Sequence, residues 1–349
     1  MANILNNHDL SHNNTMALSC TARHAMILDD IDTLGDDITT AIAFAKRHDL
    51  PLFVLSYGSN VILPSVLNAL VLLPKIQGIE ILQEDNERVT LQVACGENWH
   101  DFIKTCLDKG YFGLENLALI PGLAGACPVQ NIGAYGVQVS DFITKVIAYD
   151  LTDGQKCEFD NTACKFDYRH SFFKDNAGRY LISHVVFTLH KHPKTLTNYG
   201  DLASLAQELA NKNGRDTPHP IDVFYAVIDI RNSKLPNPTV LANCGSFFQN
   251  PIIPMSEFTA LKEQFADLPS YPINDDVIKI PAGWLIDKAG LKGKGVAPIL
   301  THDKQALVLT NHAQYTATQD DIRTAQEFIV RAVQDKFGIT LVREPVWVD

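Results

Sequence analysis

An α+β protein is what this sequence predicts, and three observations carry that reading. Strand-like and helix-like periodicities are mixed along the chain, without the regular alternation that builds a doubly wound parallel sheet. The 349 residues suffice for two domains at roughly 150 residues each. Apolar residues make up 46% of the chain, enough for real cores, while 20 Gly and 17 Pro are too few for a low-complexity polymer.

Taken in order, residues 1–20 read as a flexible N-terminal tail, because the first fifteen are polar and rich in Asn and His. Asp36 and Asp37 open a helical pattern that runs to Arg47 and stops before Pro51. Residues 52–55 read as a buried strand, 56–60 as a turn and 61–63 as extended chain. Residues 88–94 alternate, with Val89, Leu91 and Val93 on one face. Trp99, Phe102, Ile103, Cys106 and Leu107 have helical spacing, and Gly110 is a natural stop. A loop-rich stretch, 113–136, precedes strands predicted over 142–149 and 180–189. The polar segment 191–200 reads as a boundary between a first domain, 21–191 (divisible near 75), and a second, 192–349. Helical patterns follow near 201–212, 222–232, 256–266, 282–289 and 318–337. Thr318 is the N-cap candidate of the last, Gly338 follows it, and 339–348 closes the chain as extended structure.

Charge narrows the function. Lys plus Arg number 29 and Asp plus Glu 40, so the net charge is −11. A binder of nucleic-acid backbone needs a basic footprint, which this balance opposes. A local basic pocket for a small anion is compatible with it. No run reaches the roughly 18 apolar residues of a membrane span. The N-terminus lacks the basic region of a secretory signal, since Arg23 is the first basic residue. Seven scattered Cys, with no C-x-x-C pair, read as reduced thiols of a cytoplasmic protein, and no metal site is expected.

Neither G-x-G-x-x-G after a strand nor G-x-x-x-x-G-K-[ST] is present, which disfavours Rossmann and P-loop sites. Two Gly-rich loops stand out. Ser56-Tyr57-Gly58-Ser59-Asn60 separates two apolar segments; it could offer backbone N–H groups to a phosphate, or be a plain turn. The run from Ile120 to Gly136 holds four Gly, three Ala and no charge in 17 residues. A loop of that composition suits close backbone approach to a flat ligand, or tight packing against other backbone. Ser246 lies between Gly245 and two aromatics, without the spacing of a hydrolase elbow. Glu344 sits in an apolar extended run, and Arg169 among aromatics. Pattern alone favours a solvent-facing role for both and leaves a site role open.

Together the segments resemble one family, the flavoenzyme UDP-N-acetylenolpyruvoylglucosamine reductases of bacterial cell-wall synthesis. The pieces run in order over most of the chain: Ser56 to Asn60, Gly113-Leu114-Glu115-Asn116 with the Ile-Pro-Gly loop, Gln130 to Gly136, Tyr168-Arg169, Gly245 to Pro251, Ala282-Gly283-Trp284, Gln305 to Leu309, and Glu344. Tyr199-Gly200-Asp201-Leu202 resembles the longer form, in which an inserted segment, here about 192–232, brings a Tyr over the substrate. The resemblance implies an FAD-binding domain of the vanillyl-alcohol-oxidase type plus a smaller α+β substrate domain. It implies non-covalent FAD, held by Ser56, Tyr57, Gly58, Ser59, Asn60, Pro121, Gly122, Gly125, Ala126, Gln130, Asn131, Gly133, Ala134, Tyr135 and Gly136. It implies NADPH as co-substrate and an enolpyruvyl UDP-sugar as substrate, contacted by Tyr199, Lys234, Asn250 and Gln305. Arg169 matches the cation for the developing enolate, Ser246 the proton donor and Glu344 the second catalytic residue. The protein is read as a monomer. Departures are Ser56, where Gly is usual, bulky Tyr57, and Gln249, where Lys is common. The alternatives are another flavoenzyme of the same fold and a non-catalytic nucleotide-sugar binder.

Overall fold

The alternation over Arg88–Ala94 becomes a strand that turns Val89, Leu91 and Val93 inward. In the computed structural model, which describes residues 2–349, this strand belongs to a five-stranded antiparallel sheet. The order is Lys156–Asp160, Ile143–Asp150, Tyr180–His190, Arg88–Ala94 and Ile79–Glu84. A four-stranded sheet runs in the order Ile4–Asp9, Thr21–Leu28, Val66–Pro74 and Leu52–Val54. The helix Leu34–His48 carries Asp36 and Asp37 in its first turn and Lys46, Arg47 and His48 in its last, matching the helix dipole at both ends. Its apolar stripe, Ile38, Ala41 and Ile42, packs with Met26, Leu28, Leu70 and Leu72.

The chain divides into two compact units. The first comprises residues 2–8, Ala22–Tyr57 and Asn68–Ser233. Its larger core stacks Trp99, Phe102 and Phe187, with ring centroids 5.4 to 6.0 Å apart. The Trp99 indole N–H donates to the Leu117 carbonyl at 3.0 Å, so its polar edge is satisfied in the interior. The helices Leu202–Lys212 and Pro220–Lys234 send Leu202, Ala206, Val223, Phe224 and Val227 into this same core. The boundary therefore falls at Ser233, and not near 191. Segment 192–232, expected with the C-terminal domain, packs within the first unit. The polar stretch before it marked a surface loop, and the apolar faces after it settled the packing.

The second unit comprises Asp9–Thr21, Gly58–Leu67 and Lys234–Asp349. One sheet orders Asn243–Ser246, Val308–Asn311, Ile299–Thr301 and Gly295–Val296. Val346–Trp347 pairs in parallel with Val61–Ile62. The helix Gln319–Phe337 starts at a Thr318–Asp321 capping box and stops at Gly338, whose φ is 73°. It buries Ile322, Ala325, Ile329, Val333 and Phe337.

The expected N-terminal tail is corrected here. Residues 4–9 form a strand, and Leu10, Met16, Leu18 and Cys20 are buried. Asn14 stitches the segment: its Nδ2 donates to the Leu10 and Leu18 carbonyls, and its Oδ1 accepts from the Leu18 N–H. The polar residues that suggested fraying satisfy backbone instead. No helix among the described residues is long and apolar enough to cross a membrane. All seven Cys are free, and burial pushes the Cys95 thiol up to about 12.

Candidate active site

In the first unit, the loop after the helix Trp99–Asp108 folds back on the sheet. The Trp99 N–H donates to the Gly122 carbonyl at 3.1 Å, and the Gly125 N–H to the Cys95 carbonyl at 3.0 Å. A Cβ on Gly125 would stand 2.4 Å from the Cys95 Cβ, so only glycine fits. Gly125 and Ala126 thus donate their N–H groups to protein carbonyls. Among the described residues, the N–H groups of Gly122, Leu123 and Gln130 meet no acceptor. The tight-packing reading of the loop therefore holds at Gly125.

The continuation of that loop holds Arg169. Buried Asn131, at φ 42°, donates from Nδ2 to the Gln138 side chain at 2.9 Å and to the Asp167 carbonyl at 3.1 Å. Its Oδ1 accepts from the Ser140 N–H. The Arg169 Nη2 donates to the Gly133 carbonyl at 3.0 Å. Arg169 sits in a four-residue turn closed by Asp167 and His170, at φ 51°. Its own carbonyl accepts from the Lys174 Nζ at 2.8 Å. Asn116, read only as part of a motif, turns out to be a strut: its Nδ2 donates to the carbonyls of Tyr135 and Leu196, both at 2.9 Å. Tyr135 and Tyr199 meet edge to face, 5.8 Å between centroids. Burial raises the Tyr135 phenol above its ordinary range, against the pull of the nearby Arg231 charge. The first unit thus brings together Gln130 to Gly136, Arg169 and Tyr199.

Ser56 and Tyr57 close the Leu52–Val54 segment. Ser56 is not among the residues with positive φ, so serine in place of glycine carries no backbone strain there. Tyr57 is exposed.

In the second unit, Gly58 has φ 73°, and a Cβ on it would fall 1.9 Å from the Asn13 carbonyl oxygen. Gly245, at φ 75°, breaks the alternation of the strand Asn243–Ser246. Cys244 turns inward, Ser246 outward, and Phe247 and Phe248 return to the core. The Glu344 N–H donates to the Phe247 carbonyl at 2.8 Å, and the Gln249 N–H to the Val342 carbonyl at 2.9 Å. Glu344 is thereby held in an extended segment beside Ser246. Burial, with the Glu344 charge, pushes the Cys244 thiol up to about 12. The Asn250 Oδ1 accepts from the Ala282 N–H at 3.0 Å, which engages its oxygen before any ligand arrives. The Gln305 Oε1 lies 2.8 Å from where a Cβ on Gly283 would stand. Lys234 ends the helix Pro220–Lys234.

Residues 35–159 match the FAD binding domain family, and residues 237–348 the UDP-N-acetylenolpyruvoylglucosamine reductase C-terminal domain. The UDP-N-acetylenolpyruvoylglucosamine reductase of Psychrobacter arcticus is 50% identical over 98% of this chain and 91% of its own length. That of Chromobacterium violaceum is 42% identical over 97% of both chains. The chain belongs to the UDP-N-acetylenolpyruvoylglucosamine reductase family. It is accordingly an FAD-dependent oxidoreductase, with an FAD-binding domain. The crystal structure of the Thermus caldophilus reductase shares the fold, with a TM-score of 0.65 at 18% identity, over 100% of this chain and 99% of that one.

In this reductase-family chain the composition of the 120–136 loop is compatible with a dinucleotide. The 120–136 loop is uncharged and rich in Gly and Ala, and its Gly122, Leu123 and Gln130 keep N–H donors. Such donors bind phosphate without bulky side chains in the way.

Proposed function

We propose that this chain reduces the enolpyruvyl group of UDP-N-acetylglucosamine enolpyruvate to UDP-N-acetylmuramate, using NADPH, and that Arg169, Ser246 and Glu344 carry the chemistry. It would act in the cytoplasm, as a monomer, on small molecules. FAD, when bound, supplies the hydride for C3 of the enolpyruvyl group. Negative charge then develops on C2 and its carboxylate. Arg169 is suited to hold that carboxylate, because a planar guanidinium can bond both oxygens, and the Gly133 carbonyl already fixes its orientation. Ser246 gives the proton to C2, completing addition of hydride and proton across the double bond. A serine hydroxyl is a weak acid, so its placement and neighbours must assist. The observation that supports this most directly is the Glu344 N–H bond to the Phe247 carbonyl, which holds a carboxylate-bearing segment beside the proposed proton donor. Tyr199, Lys234, Asn250 and Gln305 are proposed to contact the nucleotide sugar.

Anaerobic visible absorbance tests the proposal. The purified protein should show flavin bands that bleach with NADPH and return on adding the enolpyruvyl UDP-sugar. Acid precipitation should release the flavin into the supernatant. Flavin that stays with the precipitate would point to a covalent sugar-oxidase type. A colourless protein that takes up no FAD would sink the reading.

A further inference from the structure

Asn116 is 1% exposed and stands in the short turn Glu115–Leu117. Its neighbours Leu114, Leu117 and Ala118 are buried as well. The Gly113 N–H donates to the Glu115 Oε2 at 2.7 Å, and the Leu117 carbonyl accepts the indole N–H of Trp99. The turn therefore belongs to the packed interior of the first unit. The segment 191–200 is built differently. None of its residues is buried, and Leu196 and Tyr199 are close to half exposed. Apolar packing contributes little to its position, and a segment of that kind opens at low free-energy cost unless polar contacts hold it. Asn116 supplies such contacts. Its Nδ2 donates to the Leu196 carbonyl, three residues before Tyr199, and to the Tyr135 carbonyl, both at 2.9 Å. The first bond spans 80 residues of chain and the second 19. Both N–H groups of the amide are thereby used. The two carbonyls belong to the two segments whose tyrosine rings meet edge to face, 5.8 Å between centroids. One buried side chain thus joins the end of the Gly-rich loop to the exposed segment that carries Tyr199.

We propose that Asn116 is a positioning residue for nucleotide-sugar binding: it sets Tyr199 against the 130–136 loop and acts on the substrate through that tyrosine. The proposal rests on the reading that Tyr199 contacts the nucleotide sugar. Preorganisation is the physical gain. With the Leu196 carbonyl fastened to the interior, Tyr199 stands in place before the substrate arrives, and binding is spared the entropy of ordering the segment. Without the bond the segment samples more conformations and substrate affinity falls, although no group proposed to touch the reacting atoms has changed.

A double-mutant cycle tests this. Asn116→Ala, Tyr199→Ala and the double variant are compared with wild type as FAD-loaded, oxidised enzyme. The dissociation constant of UDP-N-acetylglucosamine enolpyruvate is measured by calorimetry, and flavin absorbance verifies equal FAD content. Loss of one hydrogen bond corresponds to about three- to tenfold in binding. Asn116→Ala should weaken binding by that factor in the wild-type background and by less than twofold once Tyr199 is already alanine. The same loss in both backgrounds overturns the proposal, because Asn116 would then act independently of Tyr199. Unchanged binding in Asn116→Ala, with a loss in Tyr199→Ala, overturns the proposal and leaves the substrate reading standing. Unchanged binding in Tyr199→Ala overturns both. If Asn116→Ala does not retain FAD, Asn116→Ser, whose hydroxyl is too short to span both carbonyls, goes through the same cycle under the same criteria.

Discussion

At the scale of single residues, Ser246 and Asp150 make opposite kinds of prediction. Ser246→Ala should leave reduction of the flavin by NADPH at the wild-type rate and slow reoxidation by the enolpyruvyl substrate by about 10²- to 10⁴-fold. Stopped-flow traces of the two half-reactions check this, and equal rates in both would remove Ser246 from the mechanism. Asp150 concerns stability. Burial opposes its ionisation, but Arg179 and Thr152 outweigh that and bring its carboxyl down to about 2. Arg179 donates from Nε and Nη2, at 2.9 and 2.7 Å, and Thr152 from its N–H and hydroxyl. A carboxylate with a lowered folded pKa stabilises fully above its unfolded value near 4 and loses that contribution as the pH falls towards 2. Arg179 is half exposed, so the contribution is about 1–2 kcal/mol. Asp150→Asn should therefore be less stable than wild type in urea at pH 7, with the gap closing near pH 2. A gap that is constant with pH would refute the ionic origin. Arg169, Ser246 and Glu344 emerged from the sequence only through the combined motifs. Nothing in composition could say that the Gly125 N–H is engaged by the Cys95 carbonyl while the Leu123 N–H is not.

At the scale of elements, legibility followed periodicity and caps. The helix Gln319–Phe337 begins and ends where Thr318 and Gly338 said it would. Thr318→Ala removes the side-chain acceptor of the Asp321 N–H and should cost about 1 kcal/mol in thermal or urea unfolding. No measurable change would mean that water replaces the cap. The strand Ile79–Glu84 was illegible for a physical reason. It is an edge strand exposed along its whole length, so no face had to be apolar and no alternation was imposed. The N-terminal strand was hidden in the same way, behind Asn and His. The Gly245 kink was equally silent, because a positive φ that re-aims a serine leaves only a glycine in the sequence.

At the scale of the whole molecule, the helices of segment 192–232 are part of the first unit's core and not a detachable cover. Phe224, Val223, Val227 and Leu202 are each worth about 1.5–3 kcal/mol of burial, which together rivals the whole stability of a domain. Deleting residues 202–230 should thus give protein without cooperative unfolding or bound flavin, as judged by calorimetry and absorbance. A deletion product that melts like wild type would show that the core closes without them. The second unit is assembled from pieces far apart in the chain: the Asn311 Nδ2 donates to the Met16 carbonyl across 295 residues. During synthesis at ~5–20 residues per second, the segment bearing Met16 and Leu18 leaves the ribosome on the order of 15–60 s before its partner exists. For that interval a buried segment of the finished protein is apolar chain in water, and the nascent polypeptide is a natural client for chaperones.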